Sequence, residues 1–332
     1  MTDLKFAILG TARIAQKVAP HIAKSQGVML RGIASRDATK AADFATKYDI
    51  PVSYDSYEAV LADSEIDAVY LPLPPAMHAE WTTKAAEAGK HVLVEKPLSV
   101  SVSDALAMRD VCRQHGVVLL DGVMWYHTAR AARIREVVRS GDLGQLTQLN
   151  AVFTFRWDTM PMDNIRLHRN MGGGALLDLG WYCIGSALWL FDEMPTAVQA
   201  TAKFHNDVDT RMNAVMWFPA EKMATLECSF DTVRRRWLEV AGSKQVLTCE
   251  DFTRPWNNDA PEYLLHDDDG LIGRQLVPHP PLEQCMVEAF RDLVSNGDVQ
   301  HSWIDLSVQT QRVCDALDLS AREKRTVQMG EL

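Results

Sequence analysis

Strand-like and helix-like segments alternate through the first 120 residues, a rhythm that specifies a parallel sheet with crossover helices. KFAILG at 5–10 is a short apolar run ending in glycine, and Ile14, Val18 and Ile22 then recur every fourth residue, as one face of a helix does. VMLRGIAS (28–35) reads as a second strand, 38–48 as a helix, and 51–54 as a short third strand. IDAVYLPLP (66–74) is a fourth strand closed by prolines, followed by an Ala-rich helix near 76–88. HVLVEKP (91–97) is a fifth strand, and GVVLLDG (116–122) a sixth after a helix at 101–115. Buried parallel strands are near-continuously apolar, and these are.

After residue 122 the pattern changes. An amphipathic helix at 128–139 leads through GDLG into longer runs such as LTQLNAVFTFRW (146–157), AVQATAKF (197–204), MNAVMWF (212–218) and ATLECSF (224–230). Their period of two marks antiparallel strands with one covered face. GALLDLGWYCIGSALWLF (174–191) is the most apolar helix candidate, and 282–322 reads as two helices separated by SNGD. HDDDG at 266–270 reads as a solvated turn. A chain of 332 residues holds two ordinary domains. The expected division is an α/β Rossmann domain at 1–122 and an α+β domain at 123–332, built on an open, mainly antiparallel sheet.

Composition narrows the partners. Apolar residues make up 47% and charged residues 23%, so both halves can bury a core. The net charge of -10 argues against nucleic acid and anionic membranes, which need clustered Lys and Arg. The one basic triplet, Arg234-Arg235-Arg236, reads as a strand edge or a solvated turn. The N-terminal MTDLKFAILG lacks the long apolar core of a signal peptide, and no apolar run approaches the ~20 residues of a membrane span. The six cysteines show no CxxC spacing, and His78, His127 and His168 have no metal-ligand spacing. Cytoplasm is the expected compartment, with no metal.

A dinucleotide needs a strand that hands over to a helix at the phosphates, where the helix N-terminus offers free N–H groups and a favourable dipole. GTARIA at 10–15 sits at such a junction, making Gly10, Thr11, Ala12, Arg13 and Ile14 candidate phosphate contacts. The glycine fingerprint is reduced, since Ala12 and Ala15 stand at the second and third glycine positions. Taken alone, GTARIA is as compatible with a generic strand–turn–helix; the six strands around it favour the dinucleotide. Ser35-Arg36-Asp37 closes the second strand, with Lys40 one helical turn on. An acidic residue there suits the ribose hydroxyl of NAD, whereas Ser35, Arg36 and Lys40 suit the 2′-phosphate of NADP. NADP is therefore expected over NAD. The alternative is that Arg36 is a solvated loop residue; Asp37 is placed to cap the next helix.

AAEAGKHVLVEKPLS (85–99), GGGALLDLGWY (172–182), Asn164-Ile165-Arg166 and TQRVCDALDLSA (310–321) together resemble the glucose–fructose oxidoreductase/inositol dehydrogenase (Gfo/Idh/MocA) family. Within it, the likeness is nearest to the branch of dimeric dihydrodiol and sugar dehydrogenases, and it covers nearly the whole chain. The resemblance implies an NADP(H)-dependent oxidoreductase acting on a sugar, polyol or cyclic diol, and a homodimer formed through the open sheet. It implies cofactor contacts at Leu73, Pro74, His78, Glu95, Lys96, Pro97 and Arg166, with Lys96 beside the nicotinamide and a cis peptide before Pro97. It also assigns Asp178 and Tyr182 to the substrate. The chain departs from the family pattern at Pro75, Asp121 and Tyr126, and Tyr182 stands where many members have histidine.

Alcohol oxidation needs a base for the hydroxyl proton, and carbonyl reduction needs an acid. A free phenol, with a pKa of about 10, is a poor base near neutrality. One ammonium at about 4 Å contributes roughly 4 kcal/mol at an effective dielectric near 20, enough to lower the phenol by up to about three units. A Lys96–Tyr182 pair therefore suits proton transfer, and either member can be the donor. Asp178 lies one helical turn from Tyr182, suited to gripping a substrate hydroxyl or keeping Lys96 charged. Two other readings use the same fold: a dinucleotide-binding regulator without turnover, and a redox-neutral enzyme that keeps its cofactor. A regulator has no need of Lys96, Asp178 and Tyr182 together.

Overall fold

The apolar runs of the first 120 residues form one parallel sheet in the computed structural model, which describes residues 3–331. The elements are β1 (Leu4–Leu9), α1 (Arg13–Lys24), β2 (Val28–Ala34), α2 (Ala38–Lys47), β3 (Val52–Tyr54), α3 (Tyr57–Ala62), β4 (Ala68–Leu71), α4 (His78–Glu87), β5 (His91–Val94), α5 (Val102–Gln114) and β6 (Leu119–Asp121). The strands lie in the order β3-β2-β1-β4-β5-β6, every neighbouring pair parallel. Order reverses between β1 and β4, so the crevice for a ligand opens at the C-terminal ends of these two strands. Ala68–Leu71 of β4 is buried throughout, as a strand covered on both faces must be. Asp37 caps α2, accepting from the N–H groups of Thr39 and Lys40.

The rest of the chain supplies α6 (Ala129–Ser140), β7 (Leu146–Arg156), α7 (Trp181–Phe191), β8 (Ala197–His205), β9 (Val208–Trp217), β10 (Met223–Ser229), β11 (Asp231–Gly242), β12 (Val246–Cys249), β13 (Glu262–Asp267), β14 (Gly270–Leu276), α8 (Leu282–Ser295), α9 (Ser302–Glu323) and β15 (Val327–Gln328). Its nine strands form a sheet in the order β14-β13-β12-β11-β7-β10-β9-β8-β15. All pairs are antiparallel except β7 with β10, which makes the sheet mixed. Residues 268–269, from HDDDG, form the turn between β13 and β14.

The basic triplet lies in the part of β11 that pairs with β7 and not with β12, and Arg234 is exposed, as a strand edge requires. Arg236 departs from that expectation: it is buried, with its guanidinium 3.8 Å from the Trp256 ring centre. Stacking on the indole offsets part of the cost of burying the cation, and burial still pulls the Arg236 pKa down to about 10. A second reading also changes. Among the described residues, Arg169–Phe191 is helical and apolar enough to cross a membrane by composition, but 83% of its apolar window is buried within the protein. It is a core helix.

The chain divides into two compact units. The first runs through Met124 and takes back Pro281–Ser307; the second holds Trp125–Pro280 and the chain from Val308. A single division near residue 122 was expected, with everything beyond it in one domain. The return of 281–307 to the first unit has a packing cause: Phe290 of α8 is fully buried, its ring 5.4 Å from that of Phe6 on β1. Arg291 adds a hydrogen bond to the Gln26 carbonyl at 2.5 Å.

Candidate active site

In the first unit, β1 delivers the chain to α1 through Gly10, whose φ of 118° is open to glycine and costly for other residues. A Cβ there would stand 3.1 Å from Leu73 Cδ2 and 3.5 Å from the Tyr57 hydroxyl, so the loop is pressed against β4's exit and α3. α1 then begins at Arg13 with Ala12 as its N-cap, no side-chain cap hydrogen bond and no acidic residue in the first turn. By contrast, α2, α3 and α5 are each capped by an Asp or Ser side chain. An uncapped helix start at the sheet's switch point fits a pyrophosphate, which needs those N–H groups and that dipole. Ala15 is fully buried, so the missing third glycine is absorbed by core packing.

At the end of β2, the buried Ser35 hydroxyl accepts from the Asp37 N–H at 3.2 Å. Arg36 and Lys40 are exposed, with Lys40 Nζ 3.7 Å from Asp37. The Tyr57 hydroxyl lies beside Gly10, and the charge of Arg36 opposes the rise that burial gives the Tyr57 pKa. Arg36 is exposed at the end of β2, within electrostatic reach of a buried tyrosine at the phosphate loop. Tyr57 carries no motif signal, since in sequence it is one aromatic at the start of a short helix.

The Glu95-Lys96-Pro97 segment leaves β5 with the Lys96–Pro97 peptide in the cis form. Glu95 is buried and accepts from the Tyr70 hydroxyl at 2.5 Å. Burial pushes its carboxyl pKa up, against the opposing pull of the Tyr70 bond and of Lys96. Lys96 itself is half-buried. His78 opens α4 and is wholly buried. Its Nδ1 faces the carbonyls of Pro97 at 3.0 Å and Leu98 at 3.2 Å, and its Nε2 faces that of Leu73 at 2.9 Å. Burial pushes the imidazole pKa down. The ring thus ties the exit of β4 to the segment carrying Lys96, and it presents no surface to a ligand.

In the second unit, Asp178 and Tyr182 lie on the helical stretch 174–191, which contains one wide π turn at Leu176–Gly180. There the Trp181 N–H reaches back to the Leu176 carbonyl. Such insertions cluster at functional sites. Within 174–191 every residue is buried except Leu177, Asp178 and Tyr182. The turn therefore brings both polar groups onto the one uncovered strip of an otherwise sealed helix. The Tyr182 ring packs 5.4 Å from Phe153 of β7. Arg166 donates from Nε to Asp178 Oδ2 at 2.6 Å and from Nη2 to Oδ1 at 3.3 Å. This is a fork-on-carboxylate pair, which orients Asp178.

The three glycines at 172–174 draw these groups together. A Cβ on Gly173 would stand 2.6 Å from the Arg166 carbonyl oxygen, and the Gly174 N–H donates to that same oxygen at 3.0 Å. On the other side, Asp209 of β9 accepts from the Leu176 N–H at 2.7 Å. Asp209 is buried, and nothing in its local sequence marks it. Among the described residues, no group of His, Cys, Asp and Glu side chains could hold a metal ion.

Comparison with known proteins bears on both units. Residues 4–123 match an oxidoreductase family with an NAD-binding Rossmann fold, GFO_IDH_MocA, and residues 131–248 match the C-terminal domain of the same family. The chain is 35% identical over 331 residues to D-xylose 1-dehydrogenase (NADP(+)) 2 of Haloferax volcanii, covering 98% of this chain and 100% of that one. A 3-ketoreductase from Actinomadura kijaniata, solved with NADP and TDP-benzene, superposes with a TM-score of 0.89 at 27% identity, covering 96% of this chain and 98% of that one. The aldose-aldose oxidoreductase of Caulobacter crescentus, complexed with glycerol, also gives a TM-score of 0.89, at 26% identity over 98% of this chain and 99% of that one. The chain belongs to the Gfo/Idh/MocA family of oxidoreductases.

Proposed function

We propose that this enzyme is an NADP(H)-dependent dehydrogenase/reductase acting on a CH–OH group of a sugar or a related polyol or cyclic diol. When bound, NADP supplies or accepts the hydride. The first unit holds it with the uncapped start of α1 at the pyrophosphate and with Ser35, Arg36 and Lys40 at the 2′-phosphate. Leu73, Pro74 and the Glu95–Pro97 segment line the nicotinamide end, and His78 supports them from beneath.

The observation that carries the chemical reading is the strip on 174–191, where an Arg-paired carboxylate and a phenol are the polar groups left uncovered. A sugar offers vicinal hydroxyls. Asp178, oriented by Arg166, grips one as a hydrogen-bond acceptor. Lys96 of the first unit and Tyr182 of the second are the acid–base residues of this reading. Arg166 acts through Asp178 instead of touching the cofactor.

The test is Lys96→Met assayed with NADP and a panel led by D-xylose. Turnover falls by at least about a thousandfold, the scale of one lost acid–base group, while NADPH affinity stays within a few-fold. Unchanged turnover would remove Lys96 from the mechanism. The likeness to an aldose–aldose oxidoreductase supports a second reading, in which the cofactor stays bound and hydride returns to a second sugar. NADP surviving gel filtration favours that reading, and ready exchange favours the first. The setting we infer is a cytoplasmic homodimer: all six cysteines are free and buried, as in a reducing compartment.

A further inference from the structure

We propose that Asp209 is a positioning residue: a carboxylate on β9 that caps, from outside the helix, the turn carrying Asp178 and Tyr182 and so sets their place in the reaction. The inference rests on the reading of those two residues given above.

A helix start leaves its first N–H groups without partners, and a side chain of the preceding residues ordinarily satisfies one of them. The stretch at 174–191 cannot do this for itself. It is preceded by glycines, and neither Ala175 before the π turn nor Gly180 before α7 supplies a side-chain cap. Asp209 takes over from a neighbouring strand, accepting from the Leu176 N–H at 2.7 Å. Asp178 is two residues further on, and its own N–H bonds to the Gly174 carbonyl at 3.0 Å. The turn's height over the sheet is therefore set at the residue Asp209 grips.

The contact is interlocked with Gly174. A Cβ on Gly174 would run into Asp209 Oδ1, and the residue has φ 127°, so an L side chain is excluded on two counts. Behind the turn, the Gly180 position lies against Cys228 Sγ of β10, 3.2 Å from where a Cβ would be. The stretch is thus held on one side by β10 and at its start by a single buried carboxylate.

A plain structural acid would be replaceable by any side chain that fills the space. A positioning acid needs an acceptor oxygen at the end of a two-atom arm. The experiment compares Asp209→Ala and Asp209→Asn, with Tyr182→Phe measured alongside. Sugar turnover is followed with NADP, and NADPH binding by tryptophan fluorescence. The expected result is a tenfold or greater drop in kcat for Asp209→Ala, with NADPH Kd within twofold of wild type. Asp209→Asn, whose amide oxygen still accepts, should return to within about threefold of wild-type kcat.

A folded Asp209→Ala enzyme with kcat within twofold of wild type overturns the proposal. So does an Asp209→Asn enzyme as slow as Asp209→Ala. If Asp209→Ala does not fold, Gly174→Ala pushes on the same contact without deleting the acid, and wild-type kcat in that variant counts against the proposal equally. Tyr182→Phe separates the two levels. If it turns over normally, the reading of the uncovered strip fails. If it is slow while Asp209→Ala is not, only the positioning role fails.

Discussion

Arg36 is the side chain proposed to decide between the two cofactors. Its guanidinium lies within electrostatic reach of the buried Tyr57, whose hydroxyl stands beside Gly10 of the phosphate loop. A charge-assisted hydrogen bond contributes roughly 1.5–3 kcal/mol. Arg36→Ala should therefore weaken NADPH binding by about ten- to a hundredfold and leave NADH binding within a few-fold, as read by fluorescence titration. Equal losses for both nucleotides would place Arg36 away from the 2′-phosphate. Tyr57→Phe should move NADPH in the same direction by a smaller factor.

Asp209 makes a pH prediction at the same scale. Burial lifts its pKa from 3.8 to about 7, helped by Asp318 on α9 and opposed by the backbone N–H groups it accepts. The other titratable groups near it are Cys228 on β10 and Cys314 on α9, both with pKa values raised well above the ordinary thiol, and Asp318 is paired with Arg169 and Arg322. Between about pH 4 and 7 the folded protein keeps a proton on Asp209 that the unfolded chain has released. Stability from this residue is then largest at the acid end of the window and falls as pH rises through 7. In urea melts, wild type should lose stability relative to Asp209→Asn between pH 5 and 8. Parallel pH dependences would show that Asp209 does not titrate in that range.

Elements in this chain are set by local signals where caps and periodicity agree. Thr128 begins α6, accepting from the Ala131 N–H at 3.2 Å while its own hydroxyl donates to the Trp125 carbonyl at 2.8 Å. Replacing it by alanine removes the cap, while the Trp125 carbonyl still accepts from the backbone N–H of residue 128, so a cost of about 1 kcal/mol is expected as a lower urea midpoint. The six strands of the first sheet were legible for a similar reason, since each is an apolar run bounded by a helix-period segment or a proline. The π turn at Leu176–Gly180 was not legible. An inserted residue leaves the apolar spacing of GALLDLGWY nearly unchanged, and the extra width is selected by what the turn packs against. The burial of Arg236 was hidden for a related reason: it is tolerable inside β11 because Trp256, twenty residues on, covers it.

At the scale of the molecule, the open sheet presents Asn150, Val152, Val215, Thr225, Glu227 and Trp237 along one shallow concavity. A mixed apolar and polar sheet face of this kind suits a self-complementary contact between two copies. Sedimentation at micromolar concentration is expected to give a dimer, and Trp237→Arg is expected to shift it to monomer. A wild-type monomer would end the dimer proposal, and an unaffected dimer in the variant would move the contact elsewhere.

The order of strands and helices, the phosphate-loop junction and the Glu95-Lys96-Pro97 and GGGALLDLGWY segments were all readable from the chain, because each is a short-range pattern of polarity and backbone freedom. Contacts between distant segments were not. Tyr57 beside Arg36, Arg166 against Asp178, the return of α8 to the first unit and the grip of Asp209 on the start of 174–191 join residues that no local pattern links. Only packing could decide these, since a buried charge or hydroxyl takes whichever partner the folded backbone brings within hydrogen-bonding reach.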